Sequence, residues 1–372
     1  MLQSQIDQAA GRSIAFLHSL AGVDGQPEGV MRISTELDLG RWPGMLLPGS
    51  YNGIMALDLL GGLADWPEDR RKALCHWFLR QRQSDGIFQI PGIDPSETFK
   101  KPDPVETKLY MDYHVTNYSL GAIEALCPDE VPVLDFLDEM LDPLRLKAWL
   151  SDRDLRDPWQ EGNNIVNLAS FLLLKLKHDP DARDAVEAAI KILFDWHERL
   201  QEPATGFWGV GQALGGTPLL HAMAGSMHNY HLWYALDRPL PYQHRAVDYV
   251  LGLKPDWHSA CIDVDTVDLL IHAQQASGYR KDEVDQWLRL KLEAILEQQK
   301  PDGGFADTNH SIWRQDGWIG GYFDWPGVST SFATWFRWIA IAMIDDHLWP
   351  GRRPWRFRSM IGIGYRKAPN NG

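Results

Sequence analysis

The chain has little of three things: cysteine, positive charge and long apolar runs. Its 372 residues contain three cysteines (Cys75, Cys127 and Cys261), and no two of them have CxxC spacing. Neither a disulfide framework nor a zinc ribbon is therefore indicated. No stretch approaches the ~18 uncharged apolar residues of a membrane-spanning helix. The nearest approach, residues 328–344, contains Arg337, so we expect no integral membrane segment.

Acidic residues outnumber basic ones, 50 to 36, which gives a formal net charge of −14. Nucleic acids and anionic membranes attract basic surfaces, so neither is expected as a main partner. Basic residues do cluster after the last predicted helix, at Arg352, Arg353, Arg356, Arg358, Arg366 and Lys367. Such a segment is typical of a tail that is salt-bridged to an acidic body. The N-terminus lacks a basic start followed by an apolar run, so we expect no secretory signal and a cytoplasmic protein.

The chain does have a recurrent turn at the end of a helix. The turn reads QSDGIF at 83–88, QEPATGFW at 201–208 and QKPDGGF at 299–305. The copies lie roughly 100–120 residues apart, about twice the length of a helical hairpin unit. Weaker copies at 20–25, 150–155 and 253–257 fill the gaps. The repeat therefore predicts six helical hairpins.

Two kinds of helix alternate along the chain. The first kind, as at 181–200 and 281–298, is amphipathic and belongs on the outside. The second kind is apolar on nearly all sides and is therefore expected to be buried. Its members are 51–63, 113–126, 162–176, 218–236, 262–276 and 328–344. We predict an all-α fold, a single (α/α)6 toroid over residues 1–346, with the basic tail 347–372 packed on or strapping it. A short strand hairpin is predicted around 313–325.

The apolar segments begin with unusually polar residues. In an (α/α)6 toroid the inner helices direct their N-termini towards a common mouth, so these residues should line a pocket. Helix capping explains any single Ser, Thr, Asp or Asn at a helix start. It does not explain Tyr, His and Glu at several starts together. Polar residues that converge at one end of an apolar cavity are typical of a small-molecule site, so a small-molecule substrate is the expected partner.

The turns resemble the QW repeats of the terpenoid cyclase and prenyltransferase superfamily. A second likeness lies in the fifth apolar segment, where Asp263-Val264-Asp265-Thr266 is similar to the DxDD or DxDT signature of class II terpene cyclases. The resemblance implies proton-initiated cyclisation or isomerisation of an isoprenoid. Asp265 would then be the general acid, with Asp263 and Thr266 as its supporting neighbours.

The residue chemistry is consistent with this role. A carboxyl that is crowded by other carboxylates in an apolar cavity has its pKa raised and can stay protonated near neutrality. His228 and Asn229 are candidates to orient it, and tryptophans such as Trp335 could stabilise a carbocation. The predicted catalytic residues are Asp265, Asp263 and His228. The predicted substrate-binding residues are Tyr113, His114, Glu161, Asn164, Asn229, Thr266, Asp268 and Trp335.

Three alternatives remain open. A carbohydrate-active enzyme, a polysaccharide lyase or a glycoside hydrolase, would use the polar mouth, with Glu161 and Asp265 as a carboxyl pair. A zinc site would combine Cys261 and Asp263 with His258 or His310. A non-catalytic binding toroid would leave the polar mouth without a role. We expect no cofactor; Mg or Zn stays open as an alternative that the sequence does not indicate.

Overall fold

The computed structural model describes residues 2–93, 104–130, 132, 134–211, 218–256, 259–309, 315–316 and 323–367. Over these residues the fold is all-α, as predicted, with twelve α-helices and two pairs of two-residue strands. The odd-numbered helices are α1 (Leu2–Ser19), α3 (Glu68–Leu79), α5 (Pro143–Ser151), α7 (Arg183–Leu200), α9 (Gln243–Gly252) and α11 (Lys281–Leu296). The even-numbered helices are α2 (Leu46–Leu59), α4 (Pro104–Leu126), α6 (Pro158–His178), α8 (Pro218–Ala235), α10 (Ala260–Ser277) and α12 (Ser331–Leu348). Short 3-10 helices cover Pro43–Met45, Pro128–Glu130, Asp135–Leu141 and Pro180–Ala182.

The even-numbered helices contact one another in cyclic order. Each contacts the next along the chain, from α2 through α4, α6, α8 and α10 to α12, and α12 contacts α2. The odd-numbered helices pack against this cycle; α3 contacts α4, α7 contacts α6, and α11 contacts both α10 and α12. This is the cyclic arrangement that the predicted toroid requires.

Burial separates the two sets of helices. In α6 every residue from Gln160 to Leu172 is buried. In α7 the buried residues fall on one face, at positions such as Val186, Ile190, Leu193 and His197, which are spaced three or four apart. None of the described helices is long and apolar enough to cross a membrane.

The even-numbered helices are the inner ones, and the three clear copies of the turn are attached to them in the same way. Their glycines, Gly86, Gly206 and Gly303, have φ of +98°, +78° and +91°, a left-handed conformation that only glycine adopts readily. Two residues after each glycine, a backbone N–H donates to a hydroxyl of the inner helix that follows. The donor and acceptor pairs are Phe88 with Thr116 (3.0 Å), Trp208 with Ser226 (2.9 Å) and Phe305 with Thr334 (3.0 Å).

Two antiparallel strand pairs precede α12. Strands β2 (Gln315–Asp316) and β3 (Phe323–Asp324) pair within the hairpin predicted around 313–325, although residues 313–314 and 317–322 lie outside the described residues. The pair of β1 (Phe305–Ala306) and β4 (Ser329–Thr330) was not predicted. It joins the third turn directly to the start of α12.

The segment after α12 crosses the end of the cycle at which the inner helices finish. Ion pairs join it to the last turns of α2 and α12, as Arg356 with Asp58 (3.5 Å) and Arg366 with Asp346 (2.8 Å). Four of its apolar side chains are buried: Met360, Ile361, Ile363 and Tyr365. The segment therefore inserts between the inner helices as well as lying across them.

Candidate functional site

A cavity of about 360 Å³ lies among the inner helices. Five aromatic side chains from α4, α6 and α12 line part of it: Tyr110, Tyr118, Trp159, Phe332 and Phe336. Ile363 of the C-terminal segment also lines it. The polar groups on this lining include Asp265 of α10, His228 of α8 and His114 of α4. The structure therefore brings three of the predicted site residues together in one cavity.

Asp265 is fully buried and unpaired. Its residue exposure is 0%, and neither carboxyl oxygen has a hydrogen-bond partner among the described residues. Burial raises the pKa of Asp265 well above its ordinary value, and the nearby carboxylate of Asp268 raises it further. An unpaired carboxylate is very costly to bury, whereas the neutral acid is much less so. Burial without a partner therefore favours the protonated, neutral form of Asp265.

Asp268 lies three residues further along α10 and has the opposite protonation state. Its Oδ1 accepts from His231 Nε2 at 3.1 Å and from His272 Nδ1 at 2.9 Å. Burial tends to raise the pKa of Asp268, but the two imidazoles outweigh burial and hold that pKa below its ordinary value. Two carboxyl groups whose environments push their pKa values apart are a recurrent feature of acid–base sites.

His228 is a neutral imidazole with one bare nitrogen. Its Nδ1 lies 2.8 Å from the carbonyl oxygen of Ala224, so Nδ1 carries the proton and donates it to that oxygen. Its Nε2 is buried and has no partner among the described residues. Burial lowers the pKa of His228 to about 4. Among the described residues no hydrogen bond joins His228 to Asp265, so the orienting role stays a prediction.

Asp263, the other aspartate of the motif, lies outside the cavity. Its carboxylate forms ion pairs with Lys291 of α11 and Arg337 of α12, and all three side chains are 0% exposed. Residues two apart on an α-helix do not share a face, so Asp263 and Asp265 cannot both point into one site. Thr266 is turned inward along its own helix, where its hydroxyl donates to Ile262 O at 2.8 Å and Asp263 O at 3.1 Å.

Three further predicted residues from the inner helices are held by neighbours instead of lining the cavity. Glu161 is ion-paired with Arg153 at 3.2 Å and accepts from Asn164 at 3.0 Å, with all three buried. Asn229 Oδ1 lies 3.3 Å from His197 Nε2. In each case the buried polar group interacts with a neighbouring side chain and not with the cavity.

The remaining two predicted residues are aromatic and serve in packing. Tyr113 meets Phe136 and Phe171 at ring-centroid distances of 5.9 and 5.5 Å. Trp335 contacts Tyr118 edge-on at 5.3 Å, and it lines a separate cavity of about 140 Å³ beside the C-terminal segment. The sequence predicts both at the mouth because they stand near the start of an apolar run. Tyr113 lies in the middle of α4, however, because α4 begins at Pro104.

Some lining residues were not predicted. Tyr110 lies four residues before His114, and Phe332 lies four residues before Phe336, so helical spacing places each pair on one face. That spacing was visible in the sequence. Ile363 gave no such signal, because nothing in the sequence of an irregular tail shows which residue enters a cavity.

The zinc alternative lacks a complete set of ligands in the part of the chain that the structure describes. No group of three or more His, Cys, Asp or Glu residues suited to a metal occurs there. Asp263 is engaged by two cations. His258 and His310 lie outside the described residues.

Comparison with known proteins adds little. No protein-family model matches the chain, and a search of curated proteins gave no match. The crystal structure of a protein from Actinoplanes is similar to it, with a TM-score of 0.45 and 13% sequence identity over 92% of this chain and 99% of that chain.

Proposed function

We propose that this protein is an enzyme that protonates an alkene or epoxide of a small isoprenoid-like molecule, with Asp265 as the general acid. The reaction class is a proton-initiated cyclisation or isomerisation, as the sequence resemblance implies. The observation that carries the proposal is Asp265 itself: a fully buried carboxyl on the cavity lining with no hydrogen-bond partner among the described residues.

Protonation of a carbon–carbon double bond by a carboxyl requires that the carboxyl still carries its proton at the working pH. A neutral carboxylic acid supplies the proton, and the carboxylate that remains must be tolerated for the lifetime of the carbocation. Asp265 meets the first condition through its raised pKa. The positive charge that develops on the substrate beside it meets the second, because opposite charges in a low-dielectric site attract strongly.

The cavity wall suits a carbocation. Five aromatic rings line it: Tyr110, Tyr118, Trp159, Phe332 and Phe336. A cation over the face of such a ring gains roughly 0.5–2 kcal/mol.

His228 can end the reaction. Its unprotonated Nε2 shares the cavity with Asp265 and can accept a proton from a carbon next to the cation. The product would then be a new alkene, and the protein would return to its starting state once His228 releases its proton to solvent and Asp265 takes up a proton from solvent. The proposal therefore predicts an isomerised or cyclised hydrocarbon skeleton with no added water.

The carbohydrate-active alternative loses the carboxyl pair on which it depended. Glu161 is committed to Arg153 and does not line the cavity. Two other acids do line it, Asp157 and Asp307. Each already caps a helix: Asp157 accepts from Gln160 N at 3.2 Å, and Asp307 accepts from Ala260 N at 2.7 Å. No specific observation therefore favours a hydrolase.

The test is turnover in deuterated water. Wild-type protein is incubated with farnesyl and geranylgeranyl diphosphates, with the corresponding alcohols and epoxides, and separately with oligosaccharides, and products are analysed by mass spectrometry. We expect an isoprenoid product that carries one solvent deuterium, because the initiating proton comes from Asp265. Asp265→Asn should lower turnover by a factor of 10² or more, the usual contribution of a general acid.

A matched control is Asp58→Asn. Burial also raises the pKa of Asp58, to about 6, but Asp58 lies beside the C-terminal segment and not in the cavity. This variant should keep wild-type turnover. Undiminished turnover in Asp265→Asn would exclude Asp265 as the acid. Product from oligosaccharides alone would indicate a carbohydrate-active enzyme instead.

A further inference from the structure

A chain of buried hydrogen bonds runs from the C-terminal segment to the cavity. Arg358 Nη2 donates to Asn117 Oδ1 at 2.8 Å. Asn117 Nδ2 donates to Asn167 Oδ1 at 2.7 Å, and Asn167 Nδ2 lies 3.3 Å from His114 Nδ1. All four residues are buried, and His114 lines the cavity.

The direction of this chain is fixed at its first member. An arginine side chain has five N–H donors and no acceptor, so Asn117 must turn its oxygen towards Arg358 and its NH₂ group towards Asn167. Asn167 must in turn present its oxygen to Asn117 and its NH₂ group to His114. The last link is therefore a donation into His114 Nδ1, which places the proton of a neutral imidazole on Nε2.

We infer that Arg358 is a positioning residue that acts through Asn117 and Asn167 to hold His114 as the Nε2–H tautomer, so that His114 donates a hydrogen bond to an oxygen atom of the ligand in the cavity. The ligand is accordingly a molecule with an acceptor oxygen, such as an epoxide, an ether or an alcohol. The statement about the ligand rests on the proposed function, because it takes this cavity as the substrate site. The tautomer does not depend on it.

The two cavity histidines then have opposite tautomers for separate reasons. His228 is protonated on Nδ1, because that atom donates to Ala224 O. His114 is protonated on Nε2, because its Nδ1 accepts from Asn167. One imidazole thus offers an acceptor and the other a donor, an arrangement that can bind an oxygen and receive a proton in the same pocket.

The C-terminal segment is consequently part of the site. Besides Arg358, it contributes Ile363 to the lining. The backbone N–H of Gly362 donates to His231 Nδ1 at 3.1 Å, which fixes the His231 tautomer that donates to Asp268. The segment thereby also supports the charge beside Asp265.

The tautomers can be read by ¹⁵N NMR of histidine-labelled full-length protein, with His114 and His228 assigned by His114→Gln and His228→Gln. A ring nitrogen without a proton and one with a proton have widely separated shifts. We expect His114 to show protonated Nε2 and bare Nδ1, and His228 to show the reverse. A protonated Nδ1 on His114 would overturn the inference.

Two variants test the chain of hydrogen bonds from Arg358 through Asn117 and Asn167 to His114, which we call the relay. In Asn167→Asp the final donor becomes an acceptor, so His114 should move its proton to Nδ1 or become doubly protonated. In Arg358→Met the row of hydrogen bonds loses the donor that fixes its direction. His114 should then populate both neutral tautomers. His228 should keep its pattern in both, and Arg356→Met, a tail variant outside the relay, should leave His114 unchanged.

An unchanged His114 spectrum in both Asn167→Asp and Arg358→Met would show that the tail does not set the tautomer. If Arg358→Met fails to fold, Asn167→Asp decides alone, since it keeps every contact of the tail. For the ligand, farnesol and its terminal epoxide should shift the His114 Nε2–H signal, and the hydrocarbon farnesene should not. Equal shifts from all three probes, or none from any, would exclude an oxygen bond to His114. Turnover that survives Asp265→Asn would remove the proposed acid and leave the tautomer result standing.

Discussion

Asp263 and Asp265 stand two residues apart on α10 and have opposite surroundings. Asp263 lies between Lys291 and Arg337, and Asp265 has neither a cation nor a hydrogen-bond donor among the described residues. The motif DVDT contains the same residue type at both positions and does not say which one is neutral. The helical spacing separates them, and the partners on α11 and α12 decide their charges.

Asp265→Asn should stabilise the protein at neutral pH. The folded-state pKa of Asp265 is raised above the ordinary value of 3.8, so the folded state keeps a proton that the unfolded state releases. Stability therefore falls as the pH rises above the unfolded pKa, by about 1.4 kcal/mol per unit until the folded pKa is reached. Asparagine cannot ionise and removes this loss. Urea denaturation from pH 5 to pH 8 should show a gain for the variant that grows with pH.

Asp263→Asn should change the free energy of unfolding in the opposite direction and destabilise the protein. It leaves Lys291 and Arg337 buried without their counter-charge, which typically costs about 3–5 kcal/mol. Burial already lowers the pKa of Lys291 to about 7, so the cost should be smallest at alkaline pH, where Lys291 can release its proton. A similar loss of stability in both aspartate variants would mean that Asp265 is charged in the folded protein.

At the scale of the element, each of the three clear turns donates one backbone N–H to a hydroxyl of the inner helix that follows. Thr334→Val should remove the acceptor of the Phe305 N–H, which is buried with it. An unsatisfied buried donor costs about 1–3 kcal/mol, and valine keeps the shape of threonine. The free energy of unfolding, measured by urea denaturation, should fall by this amount.

The matched control is Thr266→Val on α10. The hydroxyl of Thr266 donates to Ile262 O and Asp263 O, which can still accept the backbone bonds of the helix after the substitution. The control should therefore lose less than Thr334→Val. Equal losses would show that the turn's hydroxyl bond contributes nothing specific.

The sequence predicts the existence of the inner helices better than the residues at which they begin. The apolar segments beginning at 51 and 113 belong to helices that begin at Leu46 and Pro104, because an apolar run marks where a helix becomes buried and not where it begins. Residues expected at a mouth, such as Tyr113, consequently lie deeper. His114 reaches the cavity because it occupies a different face of α4 from Tyr113, and no sequence period distinguishes the cavity face of an inner helix from its buried sides.

At the scale of the whole molecule, the sequence predicts that the basic tail forms ion pairs. It does not predict which residues of the tail are buried. Six basic residues in an acidic protein predict ion pairs, and pairs such as Arg353 with Asp345 at 2.7 Å are present. Arg358, however, is buried and directs the relay to His114. Nothing in its sequence context separates it from Arg356, which is half exposed on its side chain and pairs at the surface.

The tail and the helices should unfold as one cooperative unit. Ile361 is 1% exposed, and truncating a buried isoleucine to alanine typically costs about 2–5 kcal/mol. If residues 360–365 belong to the core, Ile361→Ala should shift the main unfolding transition by that amount, whereas Arg352→Ala, at an exposed position of the same tail, should change it by less than ~0.5 kcal/mol. Tryptophan fluorescence and far-UV circular dichroism should give coincident urea transitions for the wild type and both variants. A main transition that Ile361→Ala leaves unmoved, or a separate early transition, would mean that the tail detaches while the helices stay folded. Ile363 could then not be a fixed part of the cavity, and Arg358 could not fix the tautomer of His114.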